Sequence, residues 1–252
     1  MTPQELKNSI LQLAIQGKLV EQRAEEGTGK ELLEKIFAEK NAEGAKGKGR
    51  KLTRSRGVRG ENKTSAPSAS PREEIPDDEK PFDIPESWEW ARLLDCGEFI
   101  SGFTPPPKEL CEKGTIPYFK VADMNVIGNE LWMQEAKLFL KSTSPKKCFC
   151  KNTIVYPKNG GAVFTNKKRI LAQDSVVDLN TGGFSASRLI DLQYIYVYFT
   201  TIDFRKCYKG TALPTIDMDK LKRRLLPLPP LAEQKRIVAK LEELLPLCER
   251  LK

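Results

Sequence analysis

The chain has 252 residues, of which 39% are hydrophobic and 30% are charged, and its formal net charge is +8 at pH 7. No apolar run reaches the roughly 18 to 20 residues that a membrane-spanning helix needs, and the N-terminus lacks the apolar core of a signal peptide. We therefore expect a cytoplasmic protein without a membrane partner, with one or two modest cores and six free cysteine thiols.

The first residues, TPQE at positions 2–5, have the pattern of a helix N-terminus. Threonine at the N-cap, proline at N1 and glutamate at N3 make a capping box, so a helix is predicted to start here. Leu6, Ile10 and Leu13 follow at helical spacing and form one narrow apolar seam. Gly17 supplies a stop for this helix.

A second helix is predicted from Lys30 to about Asn41, which completes an N-terminal helical segment at residues 1–41. Residues 42–80 are assigned to a low-complexity linker that is first basic and then acidic. Its basic part, residues 40–64, carries nine Lys and Arg against two Glu, so most of the net charge lies there. That stretch is either a solvated linker or a tethered arm that grips phosphates without sequence preference, since basic tails do both.

Residues 81–229 are predicted to form one folded domain with short strands and few helices, which indicates a mixed α+β class. Trp88 and Trp90 are expected to anchor its core rather than to stack on bases, because neighbouring apolar residues give them a packing surface. The predicted strands are Ile116–Val121, Thr153–Tyr156, Ala162–Phe164 and Ser175–Leu179.

One stretch of this domain, residues 141–169, has eight bases and no acid. Lys and Arg in a folded frame neutralise phosphates, and glycines let a backbone approach a groove closely. DNA contact is favoured over an ordinary solvated face, because a surface of mixed charges seldom lacks carboxylates over such a length. An asparagine in it either contacts an adenine edge or serves as a turn residue. The predicted DNA-binding residues are Lys146, Lys147, Lys151, Lys158, Asn159, Gly160, Lys167, Lys168 and Arg169.

Residues 230–252 are assigned to a long helix of the coiled-coil type. Three prolines at 227, 229 and 230 allow it to begin only near residues 230–232. Its apolar residues follow the 4-then-3 spacing of a helix that buries one stripe against another helix or against its own domain. The stripe consists of Ile237, Leu241, Leu244, Cys248 and Leu251.

The segment from Gly210 to Val238 combines GTALPTI, the short helix-like DMDKLKRRL and LPLPPLAEQKRIV. It resembles the end of a target-recognition domain and the start of the long helix in the specificity subunit of type I restriction-modification enzymes. Residues 82–102 resemble the entry of such a domain. Residues 6–20 resemble the segment that follows the long helix in two-domain subunits. The resemblance also places a helix at Tyr194–Thr201, where composition favours a strand.

The resemblance implies a non-catalytic subunit that binds double-stranded DNA and holds no cofactor or metal of its own. Its partners would be the methylation (M) subunits, which bind S-adenosylmethionine, and the restriction (R) subunit, which uses ATP. With one recognition domain instead of two, the chain would recognise one half-site. Since the two parts of one helical unit stand at opposite ends, we expect a homodimer in which the first helix of one copy pairs with the last helix of the other. The last helix would also dock the M subunit.

The rival hypothesis is a small Mg²⁺-dependent nuclease that uses Asp123, Glu135 and Lys137, two carboxylates and a lysine. This pattern is short and easily met by chance in a chain with so many charges. The chain has no histidine, so the commonest general base is absent. Cys148 and Cys150 form the only close cysteine pair, which does not favour a zinc site. A P-loop is also missing from the sequence.

Overall fold

The computed structural model describes residues 2–48, 74–142 and 147–250, with side chains up to Ala42 in the first of these ranges. Within them the fold is of the predicted mixed α+β type, and no described helix is long and apolar enough to cross a bilayer. The helices are α1 (Pro3–Ile15), α2 (Gly29–Lys48), α3 (Leu93–Cys96), α4 (Leu192–Thr201), α5 (Met218–Lys222) and α6 (Leu231–Arg250). The strands are β1 (Glu89–Arg92), β2 (Gly97–Ser101), β3 (Leu110–Cys111), β4 (Ile116–Phe119), β5 (Trp132–Met133), β6 (Leu138–Leu140), β7 (Ile154–Pro157), β8 (Arg169–Leu171), β9 (Val176–Val177), β10 (Thr181–Ala186), β11 (Tyr208–Lys209), β12 (Thr215–Ile216) and β13 (Leu225–Leu228).

The strands form two larger sheets and two strand pairs. One sheet has five strands in the order β2-β10-β7-β8-β5, and the other has four in the order β3-β6-β4-β9. The β4–β9 and β5–β8 pairs are parallel. β1 pairs antiparallel with β13, with Trp90 opposite Pro227. The start of the predicted folded domain, residues 81–229, which we call the recognition region, therefore lies beside its end. Trp88 and Trp90 are both 5% exposed, which confirms them as core residues.

Helix α4 lies where the family resemblance placed a helix, against the strand preference of its composition. The Asp191 carboxylate caps it by accepting the N–H groups of residues 193 and 194. Helical spacing then turns Tyr194 and Tyr198 into the core, where their hydroxyls donate to the carbonyls of Pro227 at 2.7 Å and Leu225 at 2.6 Å. Burial raises the pKa of both phenols, that of Tyr198 to about 12. These bonds fasten α4 to β13.

The predicted strands at Ile116, Thr153 and Ser175 correspond to β4, β7 and β9, but the one at Ala162–Phe164 is wrong. Those residues belong to a 3₁₀ helix, Gly161–Thr165. Gly160 and Asn166 bound it with φ angles of 76° and 55°. Backbone in this left-handed region turns the chain and cannot continue a strand.

Helix α1 begins with the predicted capping box, in which Thr2 and Glu5 bond to each other's backbone N–H groups. It ends before Gly17, whose φ is 71° and where a Cβ would lie 2.4 Å from Pro85. The buried side chains of α1 are Leu11, Ala14 and Ile15. The most buried positions of α1 lie beside the predicted seam, in which Leu6 and Ile10 are half-buried and Leu13 is 40% exposed, so the role of this seam in a dimer stays a prediction.

Helix α6 begins at Leu231, within the predicted range, and packs against α1 of the same chain. Ile237 and Leu241 are 0% and 2% exposed and share one buried cluster with the apolar residues of α1, α2 and α4. Cys248 is also buried, and Leu244 is half-buried. The expected exposed stripe is therefore already covered within one chain, and Lys7 reaches Glu249 at 3.8 Å across the helix pair. Leu251 lies outside the described residues.

The first turn of α6 is fastened by buried polar side chains. Gln234, which is 0% exposed, accepts the Asp191 N–H at 2.8 Å and donates to the Pro229 carbonyl at 2.9 Å. Glu233, which is 1% exposed, accepts the Gln22 amide at 2.7 Å. Burial raises the pKa of the Glu233 carboxyl. The same turn therefore holds α4 on one side and the segment after α1 on the other.

Helix α2 runs further than predicted, through Lys48 and into the residues assigned to the linker. At its start Gly29 touches the β1–β13 pair so closely that a Cβ would lie 2.0 Å from the Leu228 carbonyl oxygen. Leu33 and Ile36 enter the same cluster as the strands and α6. Arg236 of α6 adds an ion pair to Glu26 at 2.6 Å, just before α2. The predicted division into four segments stays a prediction, although three of them share this core.

We expect Leu241→Ala to lower the free energy of unfolding of the isolated chain by about 2 to 5 kcal/mol, because it leaves a cavity in a packed cluster. The control is Leu247→Ala on the same helix, where the side chain is 48% exposed and the cost should be about 0.5 kcal/mol or less. Urea denaturation measures both. Equal costs at the two positions would contradict the packing of α6 within its own chain.

Candidate nucleic-acid interface

Strand β7 extends beyond the five-stranded sheet into a small ribbon, which we call the edge ribbon and define as residues 158–160 and 208–216. Its strands are held by the Asn159–Thr215 bridge and by the β11–β12 pairing. The Ile216 N–H donates to the Lys158 carbonyl at 2.9 Å, and the Gly160 N–H donates to the Pro214 carbonyl at 2.7 Å. Three predicted DNA-binding residues therefore lie beside the turn at residues 210–214.

Basic side chains lie on and beside this ribbon. Lys147 is exposed and Lys158 is half-buried, whereas the exposed Lys151 precedes β7 and so lies at the other end of that strand. Burial lowers the pKa of the Lys158 amine, the repelling charge of Lys147 lowers it further, and the Asp178 carboxylate raises it. Across residues 2–48, 74–142 and 147–250, neither amine has an ion-pair partner within 4.0 Å. A bound phosphate would relieve this repulsion.

Lys168 points into the protein, contrary to the prediction of a DNA contact. It is 4% exposed, and its Nζ donates to the Ile202 carbonyl at 2.6 Å and to Asn166 Oδ1 at 2.7 Å. The same Nζ lies 4.3 Å from the centroid of the Phe204 ring. Burial lowers the pKa of this amine to about 7. Lys168 is therefore a structural residue that anchors the chain after α4.

The neighbours of Lys168 are also engaged within the protein. The Arg169 guanidinium donates to the backbone carbonyls of Lys168 at 2.8 Å and Met124 at 3.1 Å. Lys167 Nζ donates to Asn125 Oδ1. Both side chains are half-buried, and Lys146 lies outside the described residues. The acid-free run is therefore not one continuous face, since its C-terminal end ties loops together.

The second side of the edge ribbon was recognisable in the sequence as a less pure basic cluster but was not among the predicted DNA-binding residues. Tyr208, Lys209 and Leu213 of the ribbon are exposed, as are Arg205 and Lys206 just before it. In the sequence, nearby acidic residues lower the net charge of this stretch. In the structure, these acidic residues make local contacts. Asp203 lies 2.8 Å from the Arg205 guanidinium, and Asp217 caps α5. Counting net charge along the sequence therefore underestimated this surface.

Two of the proposed nuclease residues lie in neighbouring loops, since the Asn129 amide donates to the backbone carbonyls of both Asp123 and Glu135. Asp123 Oδ2 accepts the Lys120 N–H at 2.7 Å and so caps a 3₁₀ turn. Glu135 and Lys137 are exposed. In the part of the chain that the structure describes, no three His, Cys, Asp or Glu residues are grouped so that they could hold a metal ion. Nothing in this geometry favours a nuclease.

Comparison with known families identifies the fold. Residues 85–251 match the type I restriction modification DNA specificity domain. The chain belongs to this family. The match runs from the entry of β1 to the end of α6, so it includes the edge ribbon of the specificity domain and the helix that is fastened through Gln234.

Curated relatives agree with this assignment. The chain is 28% identical over 269 residues to the type I restriction enzyme EcoAI specificity subunit of Escherichia coli, covering 98% of this chain and 40% of that protein. It is 26% identical over 267 residues to the EcoEI specificity subunit of the same organism, covering 98% and 41%. The chain thus spans about two fifths of the length of these relatives.

Solved structures share the fold. A chain solved in work on complex assembly and conformational transition of the type I R-M system superposes with a TM-score of 0.57 at 20% identity, over 68% of this chain and 42% of that chain. The HsdS subunit from Thermoanaerobacter tengcongensis gives a TM-score of 0.53 at 20% identity, over 68% and 41%. At this identity the likeness supports the fold of the specificity domain.

The buried amine of Lys168 gives the specificity domain a pH dependence. Its pKa is about 7 when folded and 10.5 ordinarily, so between these values the unfolded chain binds more protons. The free energy of unfolding should therefore rise with pH from about 7 to about 10.5. We expect Lys168→Met to flatten that rise relative to the unsubstituted chain, as measured by urea denaturation at several pH values. Parallel profiles would contradict the burial of the amine.

Proposed function

We propose that this chain recognises DNA sequence for a type I restriction-modification enzyme, with the edge ribbon as its contact surface. The observation that carries the proposal is the group of basic side chains on the edge ribbon, Lys158 and Lys209, with Lys147 close to Lys158, in a chain whose residues 85–251 match a DNA specificity domain. Phosphate contacts by such amines fix the register of a protein on a duplex, while the ribbon supplies side chains for the groove. Asn159 and Gly160 belong to the same surface, and Lys151 would contact DNA separately, from the other end of β7.

We further propose that the chain has no catalytic role and that methylation and cleavage belong to M and R subunits. In this arrangement the chain binds double-stranded DNA and holds the M subunit through the helices at one side of its domain. The exposed face of α6 carries charged residues such as Lys235 and Glu242 and suits a polar protein partner. The chain itself would need no cofactor and no metal.

The homodimer stays a prediction, but the way in which its helices are expected to pair changes. The structure pairs α1 with α6 inside one chain, so copies would have to exchange α1 to make the predicted seam between them. An exchange of α1 would keep every contact between α1 and α6, but each contact would then join two copies instead of lying within one chain. The proximity of Lys7 and Glu249 allows the two arrangements to be distinguished, because a carbodiimide joins an amine directly to a neighbouring carboxylate.

We expect a refolded equimolar mixture of ¹⁴N and ¹⁵N chains to give Lys7–Glu249 cross-links of a single isotope only, because each helix pair closes within one chain. Mass spectrometry of the cross-linked peptides measures this, with Lys7→Gln as the control that removes the reactive amine. Mixed-isotope peptides would contradict closure within one chain and would support an exchanged homodimer.

We expect the double variant Lys147→Gln/Lys158→Gln to bind duplex DNA more weakly, with a salt dependence flatter by roughly two units of slope, one for each lost phosphate contact. Fluorescence anisotropy of the full chain over a series of salt concentrations measures both quantities. The matched control is Lys35→Gln, an exposed lysine of α2, which should change neither. Unchanged affinity and slope in the double variant would show that these amines do not face DNA.

A further inference from the structure

Large apolar side chains are exposed around the edge ribbon in unusual number. Phe164, Leu179, Tyr208 and Leu213 are 43%, 50%, 42% and 63% exposed. They make up four of the nine large hydrophobic residues left exposed in the described part of the chain. The rings of Phe164 and Tyr208 meet edge to face at 5.0 Å. Such a concentration marks a surface that another molecule covers.

Leu213 lies in a turn that hydrogen bonds tie to the ribbon. Gly210 has a φ of 83°, and a Cβ there would lie 2.9 Å from the Leu213 carbonyl oxygen. That oxygen also accepts the Thr215 hydroxyl at 3.3 Å, while the next carbonyl, of Pro214, accepts the Gly160 N–H at 2.7 Å. The turn therefore holds an exposed leucine next to the ribbon. A partner that covers this side chain would gain the free energy of burying its apolar surface.

The surroundings of the turn indicate nucleic acid as that partner. Lys158 lies on one strand of the edge ribbon, and the exposed Lys209 lies on another. Exposed Lys206 precedes the ribbon; Arg205 beside it is paired with Asp203 at 2.8 Å, and Lys209 lies 4.0 Å from Asp217. The major groove of B-DNA is wide enough to admit a two-stranded ribbon, and phosphates line both of its edges. The turn presents an apolar side chain between basic side chains. The major groove presents apolar groups of the bases at its floor and phosphates along its edges, so the two surfaces are complementary.

We propose that the turn at residues 210–214 enters the major groove of the DNA and that Leu213 contacts the 5-methyl group of a thymine. This inference rests on the proposed function and adds a specificity-determining residue to it. The ring of Phe164, from the 3₁₀ helix, meets the ring of Tyr208 on the ribbon strand that leads into the turn. Leu213 therefore contributes to sequence preference, whereas Lys158 and Lys209 contribute sequence-independent affinity.

The two roles have different experimental signatures. Loss of a phosphate contact weakens binding to all sequences and flattens the salt dependence by about one unit of slope. Loss of an apolar base contact leaves the slope unchanged and reduces affinity only for duplexes with the preferred base. Lys209→Gln and Leu213→Ala change adjacent parts of one turn and therefore form a matched pair.

The test selects duplexes from a random pool with the full chain and then compares variants on the selected duplex and on an unrelated one. We expect Leu213→Ala to lose on the order of tenfold affinity for the selected duplex, with unchanged slope and unchanged binding to the unrelated duplex. Uracil in place of thymine at the affected position should weaken the unsubstituted chain equally and leave the variant unaffected. Lys209→Gln should weaken both duplexes and lower the slope.

Two control variants distinguish the loss of a DNA contact from a loss of folding. Leu94→Ala removes a leucine that is 41% exposed on α3 and should leave selection unchanged. Leu213→Met keeps apolar volume and should retain the selected sequence, and thermal melting should be the same for all variants. If Leu213→Ala selects the same sequence with the same affinity, or weakens both duplexes alike, the inference is wrong while the proposed function stands. If the unsubstituted chain selects no sequence, both are overturned.

Discussion

The buried docking of the first turn of α6 is the constraint on which the rest of the structure depends. Gln234 joins this turn to the cap of α4, Glu233 joins it to Gln22, and Arg236 pairs with Glu26. Burying these groups costs free energy, which the hydrogen bonds offset only if their geometry is kept. Apolar packing alone tolerates small rotations of a helix. These polar contacts specify one position, and the AEQKR segment at residues 232–236 that carries the family resemblance supplies all three.

That position brings the two ends of the recognition region together. β13 leads directly into α6, and it pairs with β1, which starts the region. Tyr194 and Tyr198 fasten α4 to the same strand. Helices α1, α2, α4 and α6 thus share one core with the β1–β13 pair and part of the five-stranded sheet, while β7 passes from that core outward. Ile154 and Tyr156 are fully buried, and the residues that follow Pro157 form the edge ribbon. Rigid support close to a contact surface is what recognition of base edges requires.

The parts of this fold that local chemistry decides were predictable from the sequence. The capping box at Thr2, the start of α6 after its prolines and the burial of Trp88 and Trp90 depend on neighbouring residues, and each was confirmed. Helix α4 was predictable only through the family resemblance. Its strand-like composition is overridden because helical spacing places Tyr194 and Tyr198 against β13.

The remaining differences share a physical cause, which is contact between residues distant in sequence. The apolar face of α1 depends on where α6 and α4 lie, so its most buried positions lie beside the predicted seam of Leu6, Ile10 and Leu13. Lys168 looked like its basic neighbours, but the Ile202 carbonyl that binds it comes from beyond α4. In the sequence, Leu213 is recognisable only as part of a family motif, because the sequence does not show whether an apolar residue of a turn is exposed.

The central claim is that a fixed helical frame presents the edge ribbon to DNA. Hydrogen exchange of the backbone amides, measured on the full chain with and without a selected duplex, tests it most directly. The account predicts slower exchange at residues 158–161 and 208–216 on binding DNA, with residues 231–241 equally protected in both states. Slower exchange confined to α1 and α6, with the edge ribbon unchanged, would contradict it.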